Sequence, residues 1–187
     1  MASGRRMNPP PVVSIFGSSK PMRGDAEYTL AYTTGELLAQ AGFTICNGGY
    51  GGTMEASAEG AKAGGGTTIG VVSSFYGVTA NHFIDKTVIT DKAMDRLLKL
   101  IDMGDAYVIL KGSTGTLLEL AAVWEMVNKR VIGIKPIILI GTFWQPVVRI
   151  LQDELIVEGK KHTSSLITIV QSPKGCVEEL IKQFDFK

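Results

Sequence analysis

Short apolar runs alternate with longer amphipathic segments along most of this chain. A continuous apolar run is typical of a strand that is buried on both faces of a sheet. The runs that predict strands are residues 12–16, 43–46, 67–72, 105–110, 136–140 and 166–170. Apolar side chains spaced three and four residues apart predict helices at 25–41, 53–63, 91–103, 120–127 and 143–153, and a last helix from 173.

Strands that alternate with helices predict an α/β fold, in which a parallel sheet carries helices on both faces. Ser172 followed by Pro173 is typical of a helix start, with the serine as cap. Residues 73–90 give mixed signals, and we expect them to contain a loop near the site. The spacing in helix 91–103 predicts four inward side chains, Met94, Leu97, Leu98 and Ile101.

Length and composition narrow the class of protein. The 187 residues predict one domain at 12–187, behind a disordered, Pro-rich lead at 1–11. A net charge of +1 without a basic block argues against nucleic acid as the main partner. No apolar run approaches the roughly 18 residues of a membrane-spanning helix, and the lead lacks the apolar segment of a secretory signal. We therefore expect no membrane partner and a cytoplasmic location. Cys46 and Cys176 lie far apart, which favours a reducing compartment without a disulfide.

Three turns rich in small residues each follow a predicted strand, at 17–19, 47–52 and 111–116. The carboxyl ends of parallel strands meet at one edge of a sheet, where ligands bind in this class of fold. We therefore expect the three turns to gather around one site. The first turn, Gly17-Ser18-Ser19, either donates hydrogen bonds to a phosphate or is an ordinary turn.

The third turn carries the clearest chemical signal, Lys111-Gly112-Ser113-Thr114-Gly115-Thr116-Leu117-Leu118-Glu119. A glycine-rich turn between a strand and a helix aims backbone N–H groups at an anion, most often a phosphate. Gly112 and Gly115 would let the backbone approach it, and Glu119 would face the sugar that carries it. Further donors would be the hydroxyls of Ser113, Thr114 and Thr116. The alternative is a capping box, in which Thr116 and Glu119 satisfy amides of their own helix without any ligand.

The remaining candidates each have two interpretations. Gly48 and Gly49 in the second turn permit either a close approach to ligand or a sharp turn with positive φ. Arg96 is either a functional group on the helix before strand 105–110 or part of a solvated basic face. Asp25 either touches a base or caps its helix.

Several classes of site lack support in the sequence. The first strand is not followed by G-x-G-x-x-G, and no turn has the Lys-Ser/Thr ending of an NTPase phosphate loop. The histidines and cysteines, His82, His162, Cys46 and Cys176, show no metal-ligand spacing. The sequence therefore predicts neither a nicotinamide dehydrogenase nor a metal site.

Together, the turns resemble the LONELY GUY family, the cytokinin-nucleotide phosphoribohydrolases, which are often labelled possible lysine decarboxylases. The family signature Pro-Gly-Gly-x-Gly-Thr-x-x-Glu is similar to residues 111–119, and its Gly-Gly-x-x-Gly turn is similar to residues 48–52. Gly17-Ser18-Ser19 matches the Gly-Ser-Ser after the family's first strand, and Arg96 matches an arginine on the helix before the signature strand. The resemblance covers about residues 12–184.

The resemblance implies a Rossmann-like fold and a homodimer whose site is completed near the interface. It implies hydrolysis of the N-glycosidic bond of a nucleoside 5′-monophosphate, AMP or an N6-modified AMP, to the free base and ribose 5-phosphate, without a cofactor. Arg96 and Glu119 would be the catalytic pair. The substrate-binding residues would be Gly17, Ser18, Ser19, Gly48, Gly49, Gly112, Ser113, Thr114, Gly115 and Thr116.

Two departures from the signature concern the pocket, since Lys111 replaces its proline and Ser113 its second glycine. Ser113 narrows the pocket or adds a hydroxyl donor, while Lys111 adds positive charge near the phosphate or points away. The alternative function is non-catalytic binding of a nucleotide or of the molybdenum cofactor, which related folds carry without cleavage. A literal lysine decarboxylase would need a pyridoxal phosphate lysine, and only Lys111 lies beside the phosphate turn.

Overall fold

The computed structural model describes residues 9–160 and 165–184. Most of the predicted disordered lead, residues 1–8, and His162 lie outside the described residues. The strands are β1 (Val12–Phe16), β2 (Thr44–Asn47), β3 (Thr68–Ser73), β4 (Lys86–Thr90), β5 (Ala106–Ile109), β6 (Ile137–Ile140) and β7 (Ile167–Val170). The helices are α1 (Ala26–Gln40), α2 (Thr53–Ala63), α3 (Ala93–Met103), α4 (Thr114–Asn128), α5 (Gln145–Val157) and α6 (Pro173–Gln183).

The strands form one parallel sheet in the order β4-β3-β2-β1-β5-β6-β7. The chain moves outward from β1 to β4 and then returns to β1's other side with β5. The strand order thus reverses between β1 and β5, and a cleft opens there at the carboxyl ends of the strands. The predicted α/β class, a Rossmann-like parallel sheet with helices on both faces, is confirmed.

Alternate side chains of each central strand enter opposite core layers. In β5 and just after it, Val108 and Leu110 pack in the layer of α1, α2 and α6, whereas Tyr107 and Ile109 pack in the layer of α3, α4 and α5. The strands are therefore buried on both faces, which accounts for their continuous apolar sequences.

The two layers differ in the cysteine and tryptophan side chains that they contain. Cys46 is buried in the α3–α4–α5 layer and Cys176 in the α1–α2–α6 layer, and burial raises the pKa of each thiol to about 12. Trp124 and Trp144 both lie in the α3–α4–α5 layer. The sheet thus separates the two thiols, while both tryptophans lie on the same side of it.

One strand was missed by the sequence pattern. Residues 86–90 form β4 at the edge of the sheet, inside the segment 73–90 that gave mixed signals. Among the described residues β4 pairs only with β3, and all of its residues are partly or fully exposed. An edge strand of this kind needs no apolar run, so it left no clear periodicity.

The start of α4 also differs from the prediction. The helix begins at Thr114 rather than at residue 120, because the small residues of the turn already adopt helical geometry. Its first turn was not recognised because residues 112–116 are glycine, serine and threonine, which also occur in turns outside helices.

The inward face of α3 was only partly predicted. Leu97 and Ile101 are buried, together with Leu100, but Met94 and Leu98 are 54% and 50% exposed. The helix is rotated so that the 97–100–101 stripe packs on the sheet, and the prediction for Met94 and Leu98 was wrong. Within the described residues, no helix combines the length and apolar character needed to cross a membrane.

Candidate active site

A cavity of about 390 Å³ opens at the carboxyl ends of the central strands. Its walls come from the three predicted turns, from α2, α3 and α4, and from the loop after β3. The lining residues are Gly17, Ser18, Ser19, Tyr50, Met54, Tyr76, Arg96, Ser113, Gly115, Thr116 and Glu119. The expectation that the three turns gather around one site is therefore met in the geometry.

The first turn of α4 presents unpaired backbone donors to this cavity. The first intrahelical bond runs from Leu117 N to Ser113 O over 2.9 Å, so the amides of residues 114–116 have no acceptor among the described residues. Ser113 is the N-cap residue, yet its side chain caps none of these amides. Together with the partial positive charge of a helix N-terminus, these donors suit an anion.

The position of Thr116 rules out the capping-box interpretation. Thr116 is the third residue of α4, whereas a capping box requires it at the N-cap. Its buried hydroxyl lies against Gly112, where a Cβ would come within 2.1 Å of Thr116 Oγ1. Gly112 is therefore required for this turn to close, even though it does not line the cavity itself.

The first turn is fixed against the start of α2. Thr53 donates to Ser18 O from both its amide and its hydroxyl, each over 2.9 Å. A Cβ on Gly17 would lie 2.6 Å from Thr53 Oγ1, so the glycine permits this close approach. The two serines are thus held at the cavity wall beside the turn that leads into α4, where Ser18 N donates to Lys111 O over 3.2 Å.

Arg96 reaches from α3 across the ends of β2 and β3. Its Nε donates to Val71 O over 2.7 Å and its Nη2 donates to Gly48 O over 3.0 Å. No carboxylate among the described residues forms an ion pair with it. The guanidinium is therefore fixed by backbone carbonyls while its charge stays available to a ligand, which excludes the solvated basic face.

Glu119 faces the same cavity from the second turn of α4. Its side chain is half-buried, and none of the described residues donates a hydrogen bond to its carboxylate. Burial raises the pKa of Glu119 to about 7, and the charge of Arg96 opposes part of that rise. The carboxyl therefore exchanges its proton near neutral pH, as is common for catalytic acids and bases.

Arg96 and Glu119 interact electrostatically without forming an ion pair. An arginine and a glutamate in one half-buried cavity would ordinarily gain from direct contact. Here the arginine is held back by Val71 and Gly48, so a gap remains between the two charges. That gap is open to a polar group of a ligand.

Several predicted residues have supporting positions rather than places on the cavity wall. A Cβ on Gly48 would lie 1.6 Å from Arg96 Nη2, and Gly49 has a φ of +74°. Both glycines therefore shape the turn behind Arg96. Thr114 does not line the cavity either, and its amide is one of those at the start of α4 without an acceptor among the described residues. Lys111 points away and pairs with Glu27 over 2.6 Å.

Asp25 has neither of its expected contacts. It occupies the N-cap position of α1, but its carboxylate accepts from Met22 N over 2.8 Å instead of from the first turn of the helix. It is also outside the cavity. Ser172, in contrast, caps α6 as predicted by accepting from Gly175 N.

Three cavity residues were not recognised from the sequence as site residues: Tyr50, Met54 and Tyr76. Met54 contacts Arg96 through its sulfur, at 3.7 Å from Nη2. Tyr76 lies in the 73–90 segment, where the sequence predicted a loop near the site but no particular residue. The available signal was the adjacent aromatic pair Phe75 and Tyr76, directly after a buried strand.

Comparison with known proteins identifies a family and several relatives of this chain. The model of the SLOG cluster4 family matches residues 10–177. An uncharacterized protein of Archaeoglobus fulgidus is 37% identical over 113 residues, which cover 60% of this chain and 74% of that protein. A cytokinin riboside 5′-monophosphate phosphoribohydrolase of Mycobacterium tuberculosis is 33% identical over 115 residues. That match spans only 60% of this chain and 61% of the mycobacterial enzyme.

A solved structure extends the similarity to nearly the whole chain. The molybdenum cofactor binding protein of the phototrophic bacterium Rippkaea orientalis superposes with a TM-score of 0.73 at 26% identity. The superposition covers 94% of this chain and 98% of that protein. The chain is thus similar both to an enzyme and to a cofactor-binding protein.

Proposed function

Because this chain belongs to the SLOG cluster4 family, we propose that it hydrolyses the N-glycosidic bond of a nucleoside 5′-monophosphate. The resemblance to the LONELY GUY family is confirmed by this family match and by the mycobacterial relative. The observation that carries the proposal is the pair Arg96 and Glu119 in one cavity, kept apart beside unpaired helix amides. We expect AMP or an N6-modified AMP as substrate.

The phosphate group would bind at the start of α4. The amides of residues 114–116 and the hydroxyl of Ser113 supply donors, and the N-terminal helix charge favours the dianion. Ser18 and Ser19 line the same cavity from the neighbouring turn after β1. Binding energy from the phosphate, which does not react, would orient the sugar for cleavage.

The sugar would occupy the gap between Arg96 and Glu119. Cleavage breaks the bond between the anomeric carbon and the base nitrogen, a water oxygen bonds to that carbon in its place, and the base nitrogen takes up a proton as the water loses one. The transition state carries positive charge on the sugar ring, as in glycoside cleavage. Ionised Glu119 would stabilise that charge or orient the water, and Arg96 would hold the sugar hydroxyls.

A second candidate function is non-catalytic binding of the molybdenum cofactor. The similarity to the Rippkaea orientalis protein along nearly the whole chain favours it. Ser113 in place of the signature glycine also favours a different ligand, because it adds a side chain at the cavity wall. The two candidates differ in whether a bound ligand is cleaved.

The test is release of the base from AMP and from N6-prenylated AMP, followed by chromatography. We expect free base and ribose 5-phosphate in equal amounts from the wild type. Glu119→Gln and Arg96→Ala should each lower kcat/KM by about 100-fold or more, the size of effect expected for acid–base and electrostatic groups. Glu125→Gln is the matched control, since it is the same change on α4 at an exposed side chain outside the cavity.

The possible results separate the candidates. Equal rates for Glu119→Gln and wild type would contradict the assigned pair. Absence of base release, together with retention of added molybdenum cofactor through gel filtration, would support the binding protein instead.

A further inference from the structure

The loop after β3 carries an aromatic side chain at the cavity mouth. Tyr76 lines the cavity and is 59% exposed. Phe75 packs edge-on against it, with ring centroids 5.0 Å apart, and Tyr50 does so at 6.3 Å. Large exposed rings at a cavity are typical of surfaces that bind a ligand rather than of plain loops.

The hydroxyl of Tyr50 holds this loop, residues 74–77, in place. It accepts from Ser73 N over 2.9 Å and donates to Gly77 O over 2.7 Å, so it joins both ends of the loop. Gly77 has a φ of +118°, a conformation that favours glycine and closes the turn. Tyr76 is therefore presented on a fixed backbone rather than on an open loop.

The order of strands places Tyr76 at one end of the site. The proposed phosphate donors follow β1 and β5, Arg96 is anchored behind β2 and β3, and the 74–77 loop follows β3. Neighbouring strands lie about 4.8 Å apart, so the loop is roughly 10 to 14 Å from the phosphate donors along the edge. A nucleoside monophosphate has the same linear order of phosphate, sugar and base.

We infer that the ring of Tyr76 forms the wall of a base subsite, against which the planar purine of the nucleotide packs. Tyr50 is then a positioning residue, which acts by fixing the 74–77 loop. The guanidinium carbon of Arg96 lies 5.2 Å from the Tyr50 ring centroid and 5.9 Å from that of Tyr76. The two rings are therefore next to the part of the cavity that we assign to the sugar. This inference rests on the proposed function and names the part of the site that recognises the base.

The test compares AMP with ribose 5-phosphate, which lacks the base. Both are titrated calorimetrically into the Glu119→Gln protein, in which turnover is suppressed. Adding Tyr76→Ala should weaken AMP binding about tenfold, since stacking on an aromatic side chain contributes about 1–3 kcal/mol per base and 1.4 kcal/mol is tenfold in affinity. Ribose 5-phosphate should bind equally well with and without Tyr76→Ala.

Three further variants test whether the loss of AMP affinity comes from the ring of Tyr76. Tyr76→Phe keeps the ring and should restore the preference for AMP. Tyr50→Phe keeps its own ring but loses the hydroxyl, and it should weaken AMP without weakening ribose 5-phosphate. Phe75→Ala removes an aromatic ring of the same loop outside the cavity and should leave most of the preference intact.

The outcomes distinguish the inference from the proposed function. If AMP binds and wild type cleaves it, but Tyr76→Ala leaves AMP affinity unchanged, the base subsite is wrong and the function stands. If Phe75→Ala weakens AMP as much as Tyr76→Ala, the assignment to the Tyr76 ring is wrong. If neither ligand binds, the proposed function fails and the base subsite fails with it.

Discussion

Glu119 and Arg96 show how two charged residues can share a cavity and remain separate. Hydrogen bonds to Val71 O and Gly48 O hold the arginine on the β2–β3 side, while α4 carries the glutamate. Burial raises the pKa of Glu119 to about 7, and the charge of Arg96 opposes only part of that rise. A carboxylate in such an environment is expected to lower the free energy of unfolding of the protein, a cost that is typical of functional residues.

The stability effect of Glu119 can be measured without knowing the substrate. Above pH 7 the carboxyl is charged in both folded and unfolded chains, and only the folded state bears the cost of burying that charge. As the pH falls through 7, the folded state takes up the proton, whereas the unfolded chain does so only near 4.5. We expect Glu119→Gln to raise the free energy of unfolding by about 3 kcal/mol at pH 8, since each unit of pKa difference between the two states corresponds to about 1.4 kcal/mol.

This gain should shrink as the pH falls toward 5. Urea denaturation of both proteins at pH 8 and pH 5 measures it. A gain that is the same at both pH values would mean that the pKa of Glu119 is not raised in the folded state.

At the level of single residues, the sequence identified the charged side chains of the candidate site but not the aromatic ones. Arg96, Glu119 and Ser113 stand out because each lies at a defined place next to a strand, a turn or a helix start. Tyr50 and Tyr76 do not, because their roles depend on a hydroxyl that joins two loops 23 or more residues apart. Contacts of that kind leave no periodic pattern.

Among the helices, α1 and α2 pack closely because glycines lie at their crossing. A Cβ on Gly35 would lie 2.0 Å from Ser57 O, and one on Gly60 would lie 1.9 Å from Tyr32 O. Side chains at these positions would push the helices apart. The alanine-rich sequence of α2 fits the same requirement for small residues.

Gly60→Ala is therefore expected to destabilise the protein although alanine favours helices. Helix propensity offers about 1 kcal/mol in its favour, but overpacking against backbone should leave a net loss of about 2 kcal/mol. Gly175→Ala in α6 is the control, because its Cβ would meet only ordinary contacts at 3.5 Å or more. Thermal unfolding of the three proteins tests this, and a Gly60→Ala protein as stable as Gly175→Ala would contradict the close packing.

Elements with a buried apolar face were predictable, and elements without one were not. The boundaries of α2 and the central strands follow directly from the apolar pattern. β4 escaped because it lies at the exposed edge, and the early start of α4 escaped because glycine, serine and threonine also occur in turns. In α3, Met94 and Leu98 have the helical spacing that is typical of core residues, but their side chains are exposed to solvent.

At the scale of the whole molecule, the exposed face of α3 that carries Met94 and Leu98 is relevant to the number of subunits. Met94 and Leu98 on α3 and Leu118 on α4 lie on the same side of the sheet, each about half-exposed. We propose a homodimer, which the family resemblance implied, and expect a single species of twice the chain mass in sedimentation equilibrium. Leu98→Glu should shift it toward monomer because it puts charge on an apolar surface, while Lys174→Glu on α6 should not. A monomeric wild type would contradict the proposal.

The uneven distribution of the two tryptophans has a practical consequence for spectroscopy. Trp124 and Trp144 both belong to the α3–α4–α5 layer, so tryptophan fluorescence, excited selectively at wavelengths that tyrosine does not absorb, reports on that side of the sheet. Cys176 lies in the other layer, where burial suppresses its reaction with a thiol reagent until that layer opens. Tryptophan emission and the labelling of Cys176, distinguished from that of Cys46 by peptide mass mapping, would therefore follow the two layers separately during denaturation, and a lag between them would reveal a partly opened intermediate.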